Sequence, residues 1–161
     1  MRQISFFNSE YFSRIWLKTV VKQAKFMKLT TKGRYAVMAM ADLASYSKDK
    51  PVSLTAIAKR QNISLAYLEQ LFIHLKEDKL VKSVRGVKGG YALERPASEI
   101  RLSNIFHAVN EEVKTLNCKR DSKRGCNNKS VKCITHNLWD KLDSHINGFF
   151  ENIKLEELVK R

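Results

Sequence analysis

The chain has 161 residues, 43% hydrophobic and 29% charged, and carries a formal net charge of +14. That size and apolar content suit one packed domain with an appended arm and exclude a disordered polymer. No run approaches the ~20 apolar residues needed to span a bilayer, and no compact apolar run precedes a small-residue cleavage site. A cytoplasmic protein without a membrane partner is therefore expected. Three cysteines confined to Cys118–Cys133 do not make a disulfide scaffold. An anionic partner is implied, with nucleic acid as the first candidate.

The charge is unevenly placed. Residues 1–26 carry 5 basic and 1 acidic side chains, residues 27–97 carry 13 and 6, and residues 118–133 carry 6 and 1. Residues 98–117 and 134–161 are each close to neutral. In the N-terminal arm, Phe7, Tyr11, Ile15 and Trp16 recur at helical spacing beside basic residues. That pattern suits a membrane-surface helix or an organelle address. The competing reading is an over-extended start, because Met27 opens a well-patterned domain.

In chain order, Thr30 or Thr31 caps a helix beginning near Gly33, with Ala36, Val37, Met40, Ala41 and Ala44 as its apolar stripe. Ser47–Pro51 is a polar turn. Ser53 caps a short helix over Leu54–Gln61, with Ile57 and Ala58 facing inward. Asn62-Ile63-Ser64 turns into a helix over Leu65–Glu77, which Ser64 caps. Two short helices joined so closely predict a helix-turn-helix. At 100° per residue, Leu68, Leu71, Phe72 and Leu75 share the core face of the second helix. Ala66, Gln70 and Ile73 lie opposite, with Glu69 and His74 at the edges. A helix lying in a major groove needs such an outward face, though an ordinary solvated helix shares it.

Leu80–Val84 and Tyr91–Leu93 read as strands joined by Arg85-Gly86-Val87-Lys88-Gly89-Gly90. After a helix-turn-helix, this hairpin is a wing. Its glycines permit close approach to phosphates, and Arg85 has the reach to enter a minor groove. A helix is expected over Ile100–Val113, with Leu102, Ile105, Phe106 and Val109 inward. Finally, Trp139, Leu142, Ile146, Phe149 and Ile153 repeat as a heptad seam. A homodimer built on that seam would match a palindromic double-stranded operator.

Cys118, Cys126, Cys133 and His136 follow the pattern C-x7-C-x6-C-x2-H. Three thiolates and an imidazole close a four-coordinate site. Zinc accepts that set, and so does an iron–sulfur cluster in which histidine replaces a thiolate. Neither gap matches the short knuckle of structural zinc sites, and the wider spacing suits a larger cluster, such as a 2Fe–2S core, held in a flexible loop. The surrounding basic residues would lower the thiol pKa values and offset an anionic cluster. No substrate or cysteine–histidine catalytic motif is evident, so the chain is read as no enzyme.

From Met27 onward the chain resembles the bacterial iron–sulfur cluster regulators of the IscR type. The resemblance rests on MKLTTKGRYAVMAMADLA (Met27–Ala44), ISLAYLEQLF (Ile63–Phe72), LVKSVRGVKGGYAL (Leu80–Leu93), CITHNLWDKL (Cys133–Leu142) and FFENIKLEEL (Phe149–Leu158). It implies a repressor that is mainly α with a small β-hairpin wing, a winged helix-turn-helix domain followed by a long dimerisation helix. It implies a 2Fe–2S cluster on Cys118, Cys126, Cys133 and His136, supplied by the cluster-assembly machinery, and control of cluster-assembly genes. Glu69 matches the glutamate that affects which DNA sequences are read, and Arg85 with its glycines matches the wing. The cysteine gaps are longer than the family's usual ones, and residues 1–26 have no counterpart. A sister group senses nitric oxide through three cysteines. A zinc-stabilised or nitric-oxide- or redox-sensing repressor of the same fold is the alternative.

The expected organisation is an extension (1–26), a DNA-binding domain (27–97), a linking helix (98–117), a cysteine loop (118–136), and a dimerisation helix with tail (137–161). The expected DNA-contacting residues are Lys32, Ser64, Ala66, Tyr67, Glu69, Gln70, Arg85, Lys88, Gly89 and Gly90.

Overall fold

The computed structural model describes residues 29–47, 50–113, 126 and 132–160. The N-terminal arm, with both of its readings, and Cys118 lie outside the described residues.

Helix α1 spans Thr31–Tyr46, and Thr30 caps it by accepting the Gly33 amide at 3.4 Å. It starts ahead of the expected Gly33. Its buried stripe also differs from the expected one. Ala36, Ala39, Met40 and Leu43 are fully buried, whereas Val37 and Ala41 are only half-buried against the core. Helix α2 spans Leu54–Gln61, and Ser53 Oγ accepts the Ala56 amide at 3.2 Å. Asn62 ends it in the left-handed region at φ 53°, a conformation that Asn tolerates better than most residues. That sharp stop turns the chain into α3, Leu65–Glu77. Leu68, Leu71, Phe72 and Leu75 are its buried residues, which is the face expected from the angular spacing. Ser64 stands at the N-cap of α3 but makes no side-chain capping bond, contrary to expectation.

Strands β1 (Val81–Val84) and β2 (Gly90–Leu93) pair antiparallel, with Val81 opposite Leu93 and Val84 opposite Gly90. Leu80 is buried but lies just before the ladder. Val52 pairs with Tyr91 through two backbone bonds of 2.8 Å, tying the α1–α2 connection to the hairpin base. A Cβ at Gly90 would lie 2.5 Å from the Val52 carbonyl oxygen, so this pairing requires glycine. Phe72 meets Tyr91 edge to face, with centroids 4.9 Å apart, and closes the hairpin onto α3.

Helix α4 spans only Leu102–Ala108, shorter than the expected Ile100–Val113. The reason is a Schellman stop. Asn110 takes a left-handed φ of 49°, its amide bonds to the His107 carbonyl, and the Glu111 amide returns to Phe106 at 2.9 Å. Helix α5 spans His136–Asn152, and a short helix α6 spans Leu155–Val159. The chain returns to the first body here. Leu102 donates to Ile153 and Leu155 donates to Ile100, at 3.0 and 2.8 Å. Leu155 is fully buried in the same core as Met40, Phe72 and Ile105. Ile153, expected on the heptad seam, lies past the helix end and packs on this core.

Candidate nucleic-acid interface and candidate metal centre

Asp42 is a buried charge that organises the helix-turn-helix. It accepts Arg60 through Nε at 2.9 Å and Nη2 at 2.6 Å, and Gln61 Nε2 at 2.7 Å. Its side chain is wholly shielded from solvent, while that of Arg60 is about one-third exposed. The hydrogen bond that Arg60 donates to Asp42 raises the Arg60 pKa further, and the guanidinium stacks 4.2 Å over the Tyr46 ring. This forked pair fixes the C-terminal turn of α2 against α1, and hence the angle at which α3 leaves the turn. Sequence patterning missed it, because a lone Asp in an apolar helix carries no partner in its own spacing.

On α3, Ser64, Ala66, Glu69, Gln70 and Ile73 are exposed, and Tyr67 is half-buried. Tyr67 stands edge-on to Tyr35 of α1 at 5.7 Å, so packing accounts for part of its ring. Arg85 and Lys88 are exposed on the hairpin loop, and Lys76 Nζ on α3 donates to Ser83 on β1 at 3.1 Å. Lys32 is half-buried in the first turn of α1. Gly89 and Gly90 sit at the base of the loop. There the space a Cβ would take holds the Val84 and Val52 carbonyl oxygens, each at 2.5 Å. Their smallness is therefore already required by the hairpin itself. The outward face combines small, amide and carboxylate side chains with a basic loop, which suits base edges and phosphates.

The second site lies at the start of α5. Cys126 and His136 are both buried, 7% and 5% exposed, and Cys126 Sγ stands 3.3 Å from His136 Nδ1. Cys133 is half-buried, and its backbone carbonyl accepts the His136 amide at 2.9 Å. Its thiol pKa is lowered first by the Thr135 hydroxyl and then by a hydrogen bond with Cys126. Thr135 Oγ1 accepts Trp139 Nε1 at 3.2 Å and lies 3.7 Å from Cys133 Sγ. With its lone pair used by the indole, the hydroxyl proton is free to point at sulfur, which favours thiolate. Thr135 was not singled out from the sequence. The signal was its place between Cys133 and His136.

Cys126, Cys133 and His136 thus form a linked chain of donors. Among the described residues, no three His, Cys, Asp or Glu side chains are gathered to hold a metal ion by themselves. The donor chemistry fits an iron–sulfur cluster or zinc, with a buried thiol and imidazole and a second, half-buried thiol. Neither Cys126 nor Cys133 is in a disulfide.

A compact helical body, an exposed α3 face and a two-stranded hairpin define a winged helix-turn-helix transcription regulator. Residues 29–161 match the family model described as "Rrf2: Iron-dependent Transcriptional regulator". The chain is 50% identical over 133 residues to the HTH-type transcriptional regulator IscR of Serratia proteamaculans, covering 83% of this chain and 79% of that one. It is 50% identical over 135 residues to a putative HTH-type transcriptional regulator, ORF2, of Azotobacter vinelandii, covering 84% and 80%. Among solved structures it resembles T. potens IscR at 36% identity and a TM-score of 0.68, covering 86% of this chain and 90% of that one. It also resembles CymR of B. subtilis at 30% identity and a TM-score of 0.70, covering 83% and 97%. The chain belongs to the Rrf2 family and is an IscR-type transcription regulator.

Proposed function

We propose that this regulator is a cytoplasmic, homodimeric repressor that reads cluster supply through a 2Fe–2S cluster and controls cluster-assembly genes. The observation that carries the reading is the buried Cys126–His136 contact at 3.3 Å, with Cys133 joined to it. Cys118, Cys126, Cys133 and His136 would hold the cluster, received from the assembly machinery. When bound, the cluster supplies a redox-active and removable centre whose loss reports iron shortage or oxidation. The chain's own residues do the rest. Thr135 keeps the Cys133 sulfur toward thiolate, and the basic loop favours an anionic centre.

On the DNA side, Arg85, Lys88 and Lys32 supply attraction to phosphates that weakens steeply with salt. Gln70 suits adenine, and the Glu69 carboxylate accepts from cytosine N4 while repelling misplaced phosphates. Ser64, Ala66 and Tyr67 complete the α3 surface, and Gly89 and Gly90 shape the wing. The exposed α5 seam, with Trp139, Leu142 and Phe149, would pair with a second copy.

Anaerobically purified protein is expected to be coloured and to hold about two iron and two sulfide per chain. It should select different operators with and without them. Colourless protein with a single zinc would overturn the cluster reading in favour of a zinc-stabilised repressor. Unchanged operator preferences of both forms in Glu69→Ala would overturn its role in readout.

A further inference from the structure

Glu111 stands where the body meets the cysteine loop. The Schellman stop after α4 aims it back at the start of α1. Its Oε1 accepts the Thr30 backbone amide at 3.0 Å, and its Oε2 accepts the Thr30 hydroxyl. Thr30 in turn caps α1 through the Gly33 amide. A Cβ at Gly33 would lie 2.9 Å from Glu111 Cγ and 3.0 Å from Phe106 Cε1, so glycine makes the room for this seat. A carboxylate at a helix N-terminus also opposes the positive end of the helix dipole.

The same residue faces the C-terminal half of α5. Glu111 and Val113 line a cavity of about 230 Å³ together with Asn147 and Phe150 of α5. Phe150 packs on Phe106 with centroids 4.6 Å apart. The segment leading into the cysteine loop and the helix leading out of it therefore share one wall. Lys32 lies on α1, two residues beyond the residue that Glu111 holds.

We propose that Glu111 is a positioning residue, a latch through which the cysteine-loop segment sets the N-terminal turn of α1 and the DNA-contacting Lys32 on it. The latch transmits changes at the loop to the DNA face, because pulling on residues 111–113 loads the Thr30 bonds directly. Its coupling to cluster state and the DNA contact of Lys32 rest on the function proposed above, whereas its hold on α1 does not.

The test uses the full chain and has two arms. The first is cluster-free protein, with Glu111→Ala and Glu111→Gln, probed with a mixed-sequence DNA duplex. Glu111→Ala should speed amide exchange at Thr30 and weaken duplex binding, each by about tenfold. Glu111→Gln, which keeps an acceptor, should fall between Ala and wild type. A wild-type fold by circular dichroism with unchanged exchange and affinity in Glu111→Ala would overturn the latch. Lower stability with unchanged affinity of the folded protein would also overturn it, leaving Glu111 a structural cap. The second arm compares loaded and empty protein on duplexes selected from a random pool. Glu111→Ala should bind the same iron yet show a smaller affinity difference between the two forms. An undiminished difference would overturn the transmission. Should wild-type protein take up no iron, the function proposed above fails while the first arm still decides the latch.

Discussion

The winged body and the α5 segment solve the problem of burial in opposite ways. In the body, apolar side chains from α1, α2, α3, α4 and α6 meet one another in a single core. Helix α5 has 17 residues, and His136 is the one buried residue among them. Phe149 is 57% exposed, and Trp139 and Leu142 are also exposed on the seam. The body's core is completed by its own chain. Helix α5 packs Phe150 on that core but keeps Trp139, Leu142 and Phe149 outside and the His136 imidazole inside. That inversion is what the proposed function asks of the segment, whose proposed partners are a second copy and an inorganic group.

The sharpest way to break this contrast is to empty the body's core. Phe72 is fully buried and touches Tyr91, so Phe72→Ala should cost about 3–5 kcal/mol in denaturant unfolding. The loss should be the same with and without iron. A loss that depends on iron would mean that the body does not stand alone.

Asp42 comes next. Asp42→Ala leaves a guanidinium without its carboxylate, which in a fully buried pair costs about 3–5 kcal/mol. Because Arg60 reaches solvent, about 2 kcal/mol is expected here. Urea unfolding measures it, and a change below about 0.5 kcal/mol would remove the pair from the forces that set the α2–α3 turn.

These two residues also show what the sequence disclosed. The face of α3 followed from spacing alone, because Leu68, Leu71, Phe72 and Leu75 obey the helical period. Ser53 as a cap and the glycine-rich turn followed from local chemistry. The Asp42–Arg60 pair and the Thr30–Glu111 contact span 18 and 81 residues, and no local period encodes them. The early end of α4 was legible in part. Asn110 is a residue that accepts left-handed backbone, but the apolar period ran through it to Val113. At the candidate metal centre, residue types and the Cys-x-x-His step pointed to Cys133 and His136 as candidates. The pairing of Cys126 with His136 and the role of Thr135 needed the fold.

The α5 seam sharpens the contrast from the other side. Phe149→Ala should leave the unfolding of dilute protein within about 0.5 kcal/mol of wild type. It should weaken self-association by about tenfold in sedimentation equilibrium, as expected for an aromatic anchor. Unchanged self-association would place the dimer contact elsewhere and leave the seam without its proposed occupant.

The smallest expected effect separates two serines that look alike in sequence. Ser53 and Ser64 each stand at a helix N-cap within the helix-turn-helix. Ser53 Oγ holds the Ala56 amide at 3.2 Å, so Ser53→Ala should cost about 1 kcal/mol of stability. Ser64 makes no such bond and is exposed, so Ser64→Ala should stay within about 0.5 kcal/mol of wild type. Its hydroxyl is left at the start of α3, where a helix N-terminus attracts phosphate. Ser64→Ala should therefore weaken duplex binding, by about threefold, with stability untouched. A loss of stability equal to that of Ser53→Ala, with no loss of binding, would return Ser64 to the body as an ordinary cap.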